Sequence, residues 1–236
     1  MKRSEINAAI RLANEAFRRY GFHLPQFAHW SPEVWSTKGA EVRNIADCKL
    51  GWDITDFGSG DFKRTGLTLF TIRNGQPENP RDGGKVYCEK ILLMEEGQSC
   101  PLHFHDVKVE DIINRAGGRL LLQLYNADPD GGLADSDVSV DVDGEQRRIS
   151  AGDVIALHPG ESVTLMPRCY HALSVEGGQV MIGEVSVVND DHGDVIFLDE
   201  VGRFPSIEED EPPLHLLCED YSAYWPGAAG ISRESC

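Results

Sequence analysis

The first twenty residues carry apolar side chains at helical spacing. Apolar residues recur every three or four positions, at Ile6, Ile10, Ala13 and Phe17, with mostly polar residues between them. Side chains at this spacing share one face of a helix, so the pattern predicts an amphipathic helix over about 4–20. Ser4 is a suitable N-cap, and Gly21 is a suitable stop. We expect the apolar face to pack on the rest of the chain or on a second subunit.

From Leu67 onward, short apolar runs separated by turn residues replace the helical pattern, which is typical of strands. The segment 22–63 is less regular, and its tryptophans (Trp30, Trp35 and Trp52) indicate an irregular, partly helical stretch. Strands are predicted near 67–73, 86–94, 101–105, 108–114, 119–125, 138–142, 145–149, 154–157, 163–166, 171–175, 179–187 and 195–198.

Three glycine-containing dipeptides are predicted to close hairpins, because glycine tolerates positive φ. They are Gly117-Gly118, Asp143-Gly144 and Gly177-Gly178. Many short strands joined in this way predict a fold dominated by β-structure, a double-sheet jelly-roll barrel with an N-terminal helical segment. One domain is expected over 1–225, followed by a flexible tail at 226–236.

Charge and cysteine usage narrow the classes of function. The net charge of −17 argues against a nucleic-acid partner, which needs a basic surface. No run of apolar residues is long enough to cross a membrane, and the N-terminal residues contain no apolar signal region. The six cysteines are scattered without a Cys-x-x-Cys pair, which favours reduced thiols and a cytoplasmic protein.

The strongest chemical signal is the pattern Gly-x5-His-x-His-x4-Glu-x6-Gly. It is formed by Gly97, His103, His105, Glu110 and Gly117. Histidines two apart on a strand point to the same face, and a small bend would return the glutamate to that face. Two imidazoles and a carboxylate on one inward surface predict a metal site with nitrogen and oxygen ligands. The spacing resembles the first motif of the cupin family.

A further histidine is needed to complete such a site, and two candidates compete. His158 stands just before a proline at a strand end, whereas His171 opens a strand after a turn. The surrounding sequence resembles the second cupin motif but departs from its usual form, because Pro159-Gly160 lies well upstream of His171. The position of His171 suits a centrally held ligand better, so it is the preferred candidate.

The predicted hairpins also indicate which polar side chains face the metal. The turn at Gly177-Gly178 places Glu184 opposite His171. A tight turn at Glu95-Glu96-Gly97-Gln98 would place Lys90 opposite His103 and Cys88 opposite His105. The predicted hairpins also place Glu110 opposite Tyr125, with Gln123 one pair along, and turn Lys108 inward. A buried lysine and glutamate are costly without a task, so Lys90 and Glu184 are candidate catalytic groups. A structural ion pair, or a register shift that turns both outward, is the alternative.

Longer segments resemble the D-lyxose isomerase family over most of the chain, from about Leu12 to Tyr224. The segments are 52–58, 69–75, 89–91, 100–105, 108–112, 159–165, 170–171 and 184–191. The family shares the unusual second motif. The resemblance implies a manganese-dependent, homodimeric isomerase that interconverts D-lyxose and D-xylulose, and often D-mannose and D-fructose. It also implies metal ligands at His103, His105, Glu110 and His171.

The expected chemistry is an aldose–ketose conversion through a metal-stabilised cis-enediol. Glu184 is the candidate proton-shuttling base, with Lys90 as its partner. Weaker candidates for binding the sugar hydroxyls are Lys108, Gln123, Tyr125 and Asp191. Manganese does not follow from the ligand types, since imidazole also suits iron, cobalt, nickel and zinc. Two other functions stay open: a non-catalytic sugar-binding cupin and an iron-dependent cupin oxygenase.

Overall fold

A computed structural model describes residues 1–76 and 84–227. The predicted helix is present as α1, Arg3–Arg19, and its buried face contains Ile6, Ile10 and Phe17. The N-cap differs from the expected Ser4. Lys2 holds that position, and its backbone N–H donates to the Glu5 carboxylate at 2.8 Å. The predicted tail at 226–236 lies outside the described residues from residue 228 onward.

From Leu67 onward most strands lie where the pattern predicted them. Predicted strands 108–114 and 119–125 form one long strand, as do 171–175 and 179–187, and the short strand Leu133–Ala134 was not predicted. The bounds of the strands are β1 Gly51–Thr55, β2 Leu67–Arg73, β3 Tyr87–Met94, β4 Ser99–Phe104, β5 Glu110–Ala127, β6 Leu133–Ala134, β7 Val138–Val142, β8 Glu145–Ile149, β9 Val154–Leu157, β10 Ser162–Leu165, β11 Cys169–Val187 and β12 Ile196–Phe197. In the segment 22–63, the predicted irregular stretch consists of short helices and one strand, β1, that the pattern did not indicate. The helices there are 3-10 turns at Gln26–His29 and Ala40–Val42, α2 Pro32–Ser36 and α3 Arg43–Asp47. A last short helix, α4, spans Tyr221–Tyr224.

Antiparallel pairing joins the strands in the order β1-β2-β3-β11-β5-β10-β7-β8. β4 pairs with β11 and β12, while β6 and β9 pair with β5. One half of the β5–β11 ladder therefore continues into β3 and β10, and the other half continues into β4 and β9. The apolar side chains of the two halves pack against each other, for example Ile112 and Leu92 with Leu122 and Leu173. This confirms a two-layered antiparallel β-fold with a helical N-terminus.

Two of the three predicted hairpins are wrong. Gly117-Gly118 lies inside β5, and Gly177-Gly178 lies inside β11. The two pairs face each other in the ladder, where the register shifts between Glu176 and Val180. A Cβ at Gly117 would collide with the carbonyl oxygen of Gln179, and Gly117 itself has φ 105°. The glycines therefore bend two long strands from one layer to the other. Glycine pairs serve bends as well as turns, since both use positive φ.

The third dipeptide forms the predicted hairpin between β7 and β8. Val142 pairs with Glu145, and Asp143 and Gly144 both have positive φ, 51° and 84°. Two positive values in a two-residue loop suit the right-handed twist of the flanking strands. The prediction at this position is confirmed.

Helix α1 packs on the outer face of the layer that contains β1, β2 and β3. Its Ile10 and Phe17 belong to one buried cluster with Trp52 and Phe70, and Phe17 stacks on Trp52 at a ring separation of 6.4 Å. Of the two expected positions for the helix, the structure therefore shows packing on the sheet of its own chain.

None of the described helices is long and apolar enough to cross a membrane. The cysteines within the described residues (Cys48, Cys88, Cys100, Cys169 and Cys218) are buried and free, in agreement with the predicted reduced thiols. Cys236 lies outside the described residues.

Candidate active site

Three histidines meet between the two layers, at one end of the β5–β11 ladder. His103 lies in β4 and pairs with His171 of the neighbouring strand β11, while His105 follows directly after β4. The ring centroid of His103 lies 4.2 Å from that of His171 and 5.4 Å from that of His105. One ring nitrogen from each of the three lies within 4.8 Å of the others. The three imidazoles thus point at one buried place.

Backbone carbonyls fix the orientation of each imidazole. The Nδ1 atoms of His103, His105 and His171 face the carbonyl oxygens of Pro101, Asp194 and Cys169, at 2.8, 2.6 and 3.1 Å. An Nδ1 that donates to a carbonyl leaves the Nε2 lone pair free, as metal-binding histidines require. Burial is the largest effect on both rings: it lowers the pKa of His103 well below its usual value and the pKa of His105 to about 4. Both rings are therefore neutral near pH 7.

Glu110, at the start of β5, completes the group of candidate ligands. Its Oε1 lies 3.1 Å from Nε2 of His171 and 3.7 Å from Nε2 of His105. This oxygen is buried and forms no hydrogen bond with the described residues. A buried carboxylate oxygen without a donor is costly, and it suits a position beside a cation. Three free imidazole nitrogens and this oxygen fit a divalent metal ion as a donor set.

The competing histidine, His158, lies elsewhere. It follows β9 in an exposed turn, where its backbone N–H donates to the Glu161 carboxylate. His171 is buried beside His103 and His105. The geometry thus favours His171, as the strand position predicted.

Next to the imidazoles lies a buried cluster of charged side chains. Lys90 pairs with Glu184 across the β3–β11 ladder, and Lys108 lies just before β5. Oε1 of Glu184 accepts a hydrogen bond from Nζ of Lys108 at 3.0 Å and lies 3.3 Å from Nζ of Lys90. All three side chains are at least 90% buried. The expected inward orientation of these residues is confirmed.

The expected partners of these residues are wrong, because β4 pairs with β11 and β12 instead of β3, and β11 continues through Gly177-Gly178. Lys90 faces Glu184 rather than His103, and Cys88 faces Ser186 rather than His105. Glu184 also faces Ile112 of β5 instead of His171. The pairing follows from β11 being one continuous strand between β3 and β5.

The charges in this cluster stabilise one another. Burial alone would raise the pKa of the Glu184 carboxyl, but Lys108 and Lys90 outweigh it and hold the pKa below its usual value. Burial alone would also lower the pKa of each lysine. The carboxylates around them, those of Glu110, Glu184 and Asp191, reverse this effect and raise both pKa values. At neutral pH Glu184 is therefore an ionised acceptor, and both lysines are ammonium donors.

Lys108 has no spare donor. Its three N–H groups meet Oε2 of Glu110 at 2.8 Å, Oε1 of Glu184 at 3.0 Å and Oδ1 of Asn189 at 3.2 Å. An ammonium offers three donors in total. Lys108 thus links the candidate metal ligand Glu110 to Glu184, which differs from the expected contact with a sugar.

These groups line a cavity of about 50 Å³. The lining combines charged side chains, those of Lys90, Glu184 and Asp191, with apolar ones. The apolar lining residues are Phe57, Leu67, Leu69, Leu92, Ile112, Leu173, Val195 and Phe197.

Arg203 is a cavity residue that the sequence reasoning missed. Its Nη2 donates to Asp53 at 2.5 Å and lies 3.4 Å from Asp191, while Nη1 is buried without a partner among the described residues. Arg203 belongs to the loop after β12, where no strand pattern indicates the direction of a side chain. Asp191, which was expected near the sugar, does line the cavity.

Gln123 and Tyr125 do not reach the cavity. Their neighbours on β5, Leu122 and Leu124, face the core between the layers. Alternation turns Gln123 and Tyr125 to the opposite face, where Gln123 donates to the Gly152 carbonyl. Their expected place depended on a turn at Gly117-Gly118. In one continuous strand, Glu110 and Tyr125 lie far apart.

Comparisons with known proteins agree with this architecture. In a D-lyxose/D-mannose isomerase of Serratia proteamaculans, 48% of residues are identical over 94% of this chain and 98% of that protein. A protein of the same name from Escherichia coli O157:H7 is 44% identical over 95% of this chain and 100% of its own length. Among solved structures, L-ribose isomerase of Cellulomonas parahominis superposes with a TM-score of 0.59 at 16% identity. That match covers 88% of this chain and 98% of the other, and it shows a shared fold. The D-lyxose isomerase family matches residues 1–221, and the chain belongs to this family.

Proposed function

We propose that this protein is an aldose–ketose isomerase that interconverts D-lyxose and D-xylulose, and also D-mannose and D-fructose. One observation carries the proposal. Three imidazoles with free Nε2 atoms and the unpaired oxygen of Glu110 converge beside an ionised, lysine-bound Glu184 in one cavity. The names of the two relatives, both D-lyxose/D-mannose isomerases, support the same choice of sugars.

His103, His105, His171 and Glu110 would hold a divalent ion, with manganese as the preferred metal. When bound, such an ion supplies Lewis-acid polarisation of a carbonyl oxygen, worth several kcal/mol of charge stabilisation. The family resemblance supports manganese, whereas the donor types leave iron, cobalt, nickel and zinc open.

Glu184 is the proposed base that carries a proton between C1 and C2 of the open-chain sugar. Its lowered pKa keeps it ionised at neutral pH, so it can accept a proton. Among the described residues, its hydrogen bond and ion pairs involve Oε1, which leaves Oε2 for the sugar. A single carboxylate that takes and returns the proton fits a route through a cis-enediol.

Lys90 is the proposed donor to a sugar oxygen. Its Nζ lies 3.3 Å from Glu184 and 3.7 Å from Asp191, which are longer contacts than those of Lys108 to its two carboxylates. Because its carboxylate contacts are long, Lys90 can turn an N–H from them to an incoming oxygen. Lys108, with all its donors engaged, is proposed to couple Glu110 to Glu184.

Asp191 and Arg203 are the proposed contacts for the hydroxyl groups far from C1. Both line the cavity, and Arg203 presents a buried N–H that has no partner among the described residues. A lining of charged and apolar side chains suits a sugar, which has polar hydroxyls and apolar C–H groups. The charged side chains argue against the oxygenase alternative, which needs apolar surroundings.

Replacing Arg203 with lysine keeps a positive charge near Asp53 and Asp191 but removes the unpaired N–H. We expect KM for D-lyxose to rise roughly 2- to 10-fold, the equivalent of one hydrogen bond of about 0.5–1.5 kcal/mol. Steady-state kinetics would measure it. The matched control, Arg148→Lys, changes an exposed arginine paired with Asp137 and should leave KM unchanged. An unchanged KM in Arg203→Lys would remove Arg203 from the sugar site.

The reaction itself is tested in deuterated water by NMR. Protein loaded with manganese, and a sample treated with chelator, are incubated with D-lyxose, D-xylulose, D-mannose and D-fructose. We expect conversion by the loaded sample, with solvent deuterium entering at C1 or C2. Conversion without deuterium would favour a hydride shift or an internally returned proton over exchange with solvent. No conversion of any of the four sugars would favour the non-catalytic sugar-binding alternative.

Assembly and location are also proposals. We propose a homodimer, as the family resemblance implies, and sedimentation should then give twice the chain mass. We propose a cytoplasmic location because the described cysteines are free, which suits a reducing compartment.

A further inference from the structure

Asn189 lies where the two buried lysines of the cavity meet. Its Oδ1 accepts a hydrogen bond from Nζ of Lys90 at 2.8 Å and another from Nζ of Lys108 at 3.2 Å. Asn189 is itself 6% exposed. Two ammonium groups so close together repel, and a shared acceptor offsets that repulsion. Because the acceptor is an amide, it does so without adding another negative charge beside Glu184.

A second buried amide, Asn74, fixes Asn189 from the other side. Oδ1 of Asn74 accepts from the backbone N–H of Asn189 at 3.0 Å, and Nδ2 of Asn74 donates to the Asn189 carbonyl at 3.0 Å. Nδ2 also reaches the Cys48 carbonyl at 3.4 Å. The two hydrogen bonds between Asn74 and Asn189 use only the backbone of Asn189, which leaves its side chain for the lysines.

The distances show which contact holds Lys90. Its bond to Asn189, at 2.8 Å, is shorter than its contacts with Glu184 and Asp191, at 3.3 and 3.7 Å. For Lys108 the order is reversed, with carboxylate contacts of 2.8 and 3.0 Å and 3.2 Å to Asn189. Asn189 is thus the main anchor of the lysine whose donors face the cavity.

We propose that Asn189, seated by Asn74, is a positioning residue that holds both ammonium groups against Oε1 of Glu184. This inference rests on the proposed function, because it assigns the proton transfer to Glu184 and the donor role to Lys90. Asn189 acts through these residues and need not touch the sugar. Its loss should therefore lower kcat and leave KM for the sugar largely unchanged.

The test compares Asn189→Ala with Asn114→Ala. Asn114 is also buried and donates two hydrogen bonds, to the Gly118 and Leu157 carbonyls, but it lies outside the cavity lining. We expect kcat of Asn189→Ala to fall about 10- to 100-fold, the size expected for a small misplacement of reacting groups. Asn114→Ala should lose stability without that loss of kcat. A kcat loss no larger than that of Asn114→Ala, or a change confined to KM, would overturn the proposal.

A second variant, Asn189→Asp, keeps the size of the side chain and carries the test if the alanine variant does not fold. Its carboxylate would compete with Glu184 for both lysines, so kcat should fall here as well. A kcat equal to that of the unchanged protein would overturn the proposal. Failure of the proposed function is a separate result: the unchanged protein would then convert none of the four sugars.

Discussion

Glu184→Gln should lower kcat about 10²- to 10⁴-fold, the range that general acid–base catalysis supplies. The glutamine side chain has nearly the same shape but cannot accept the proton. Metal content should be unchanged, because Glu184 stands outside the three-histidine group. Steady-state isomerisation rates and metal analysis of the dialysed protein would measure both quantities.

The matched control for this variant is Glu176→Gln, on the same strand. Glu176 forms an exposed pair with Arg119, and exposed pairs contribute little to stability. Its replacement should leave rate and metal content unchanged. Thermal unfolding separates the catalytic effect from a folding effect, since Lys90 and Lys108 lose a buried partner in Glu184→Gln. A folded Glu184→Gln protein with near-normal turnover would reduce Glu184 to a structural partner of the lysines.

His171→Ala should lower the affinity for manganese by at least about 10- to 100-fold, the loss already seen when only a residue supporting a ligand is changed. The variant removes one of three converging imidazoles and leaves Oε1 of Glu110 without its nearest neighbour. Isomerase activity should fall with the metal. Manganese titration by calorimetry and metal analysis after dialysis give the two measurements.

His158→Ala is the control, because His158 lies in an exposed turn away from the other histidines. It should bind manganese as the unchanged protein does. The opposite result, with metal lost in His158→Ala and retained in His171→Ala, would show that the wrong histidine was assigned. Unchanged affinity for manganese in both variants would show that His171 of β11 is not the fourth metal ligand.

The sequence alone determined most of the secondary structure and the core of the candidate metal site. Local spacing carries that information. The helical recurrence from Ile6 to Phe17 predicted α1, and the apolar runs from Leu67 onward predicted most of the strands that follow β1. The His-x-His spacing also predicted two imidazoles on one face, because alternation along a strand requires no knowledge of its partner.

The tertiary structure decided which side chains from distant segments meet. Positive φ at Gly117 and Gly177 is compatible with a turn or a bend, and only packing of the two layers selects the bend. That choice paired Lys90 with Glu184 and turned Gln123 and Tyr125 away from the cavity.

The loops that follow β11 and β12 brought the remaining residues to the candidate site. Arg203 and Asn189 come from these loops, where no periodic pattern fixes the direction of a side chain. Their positions depend on long-range contacts, Arg203 with Asp53 and Asn189 with Asn74. Local propensity determines the elements of this chain. The contacts between elements, which lie far apart in sequence, determine the donors and charges around the site.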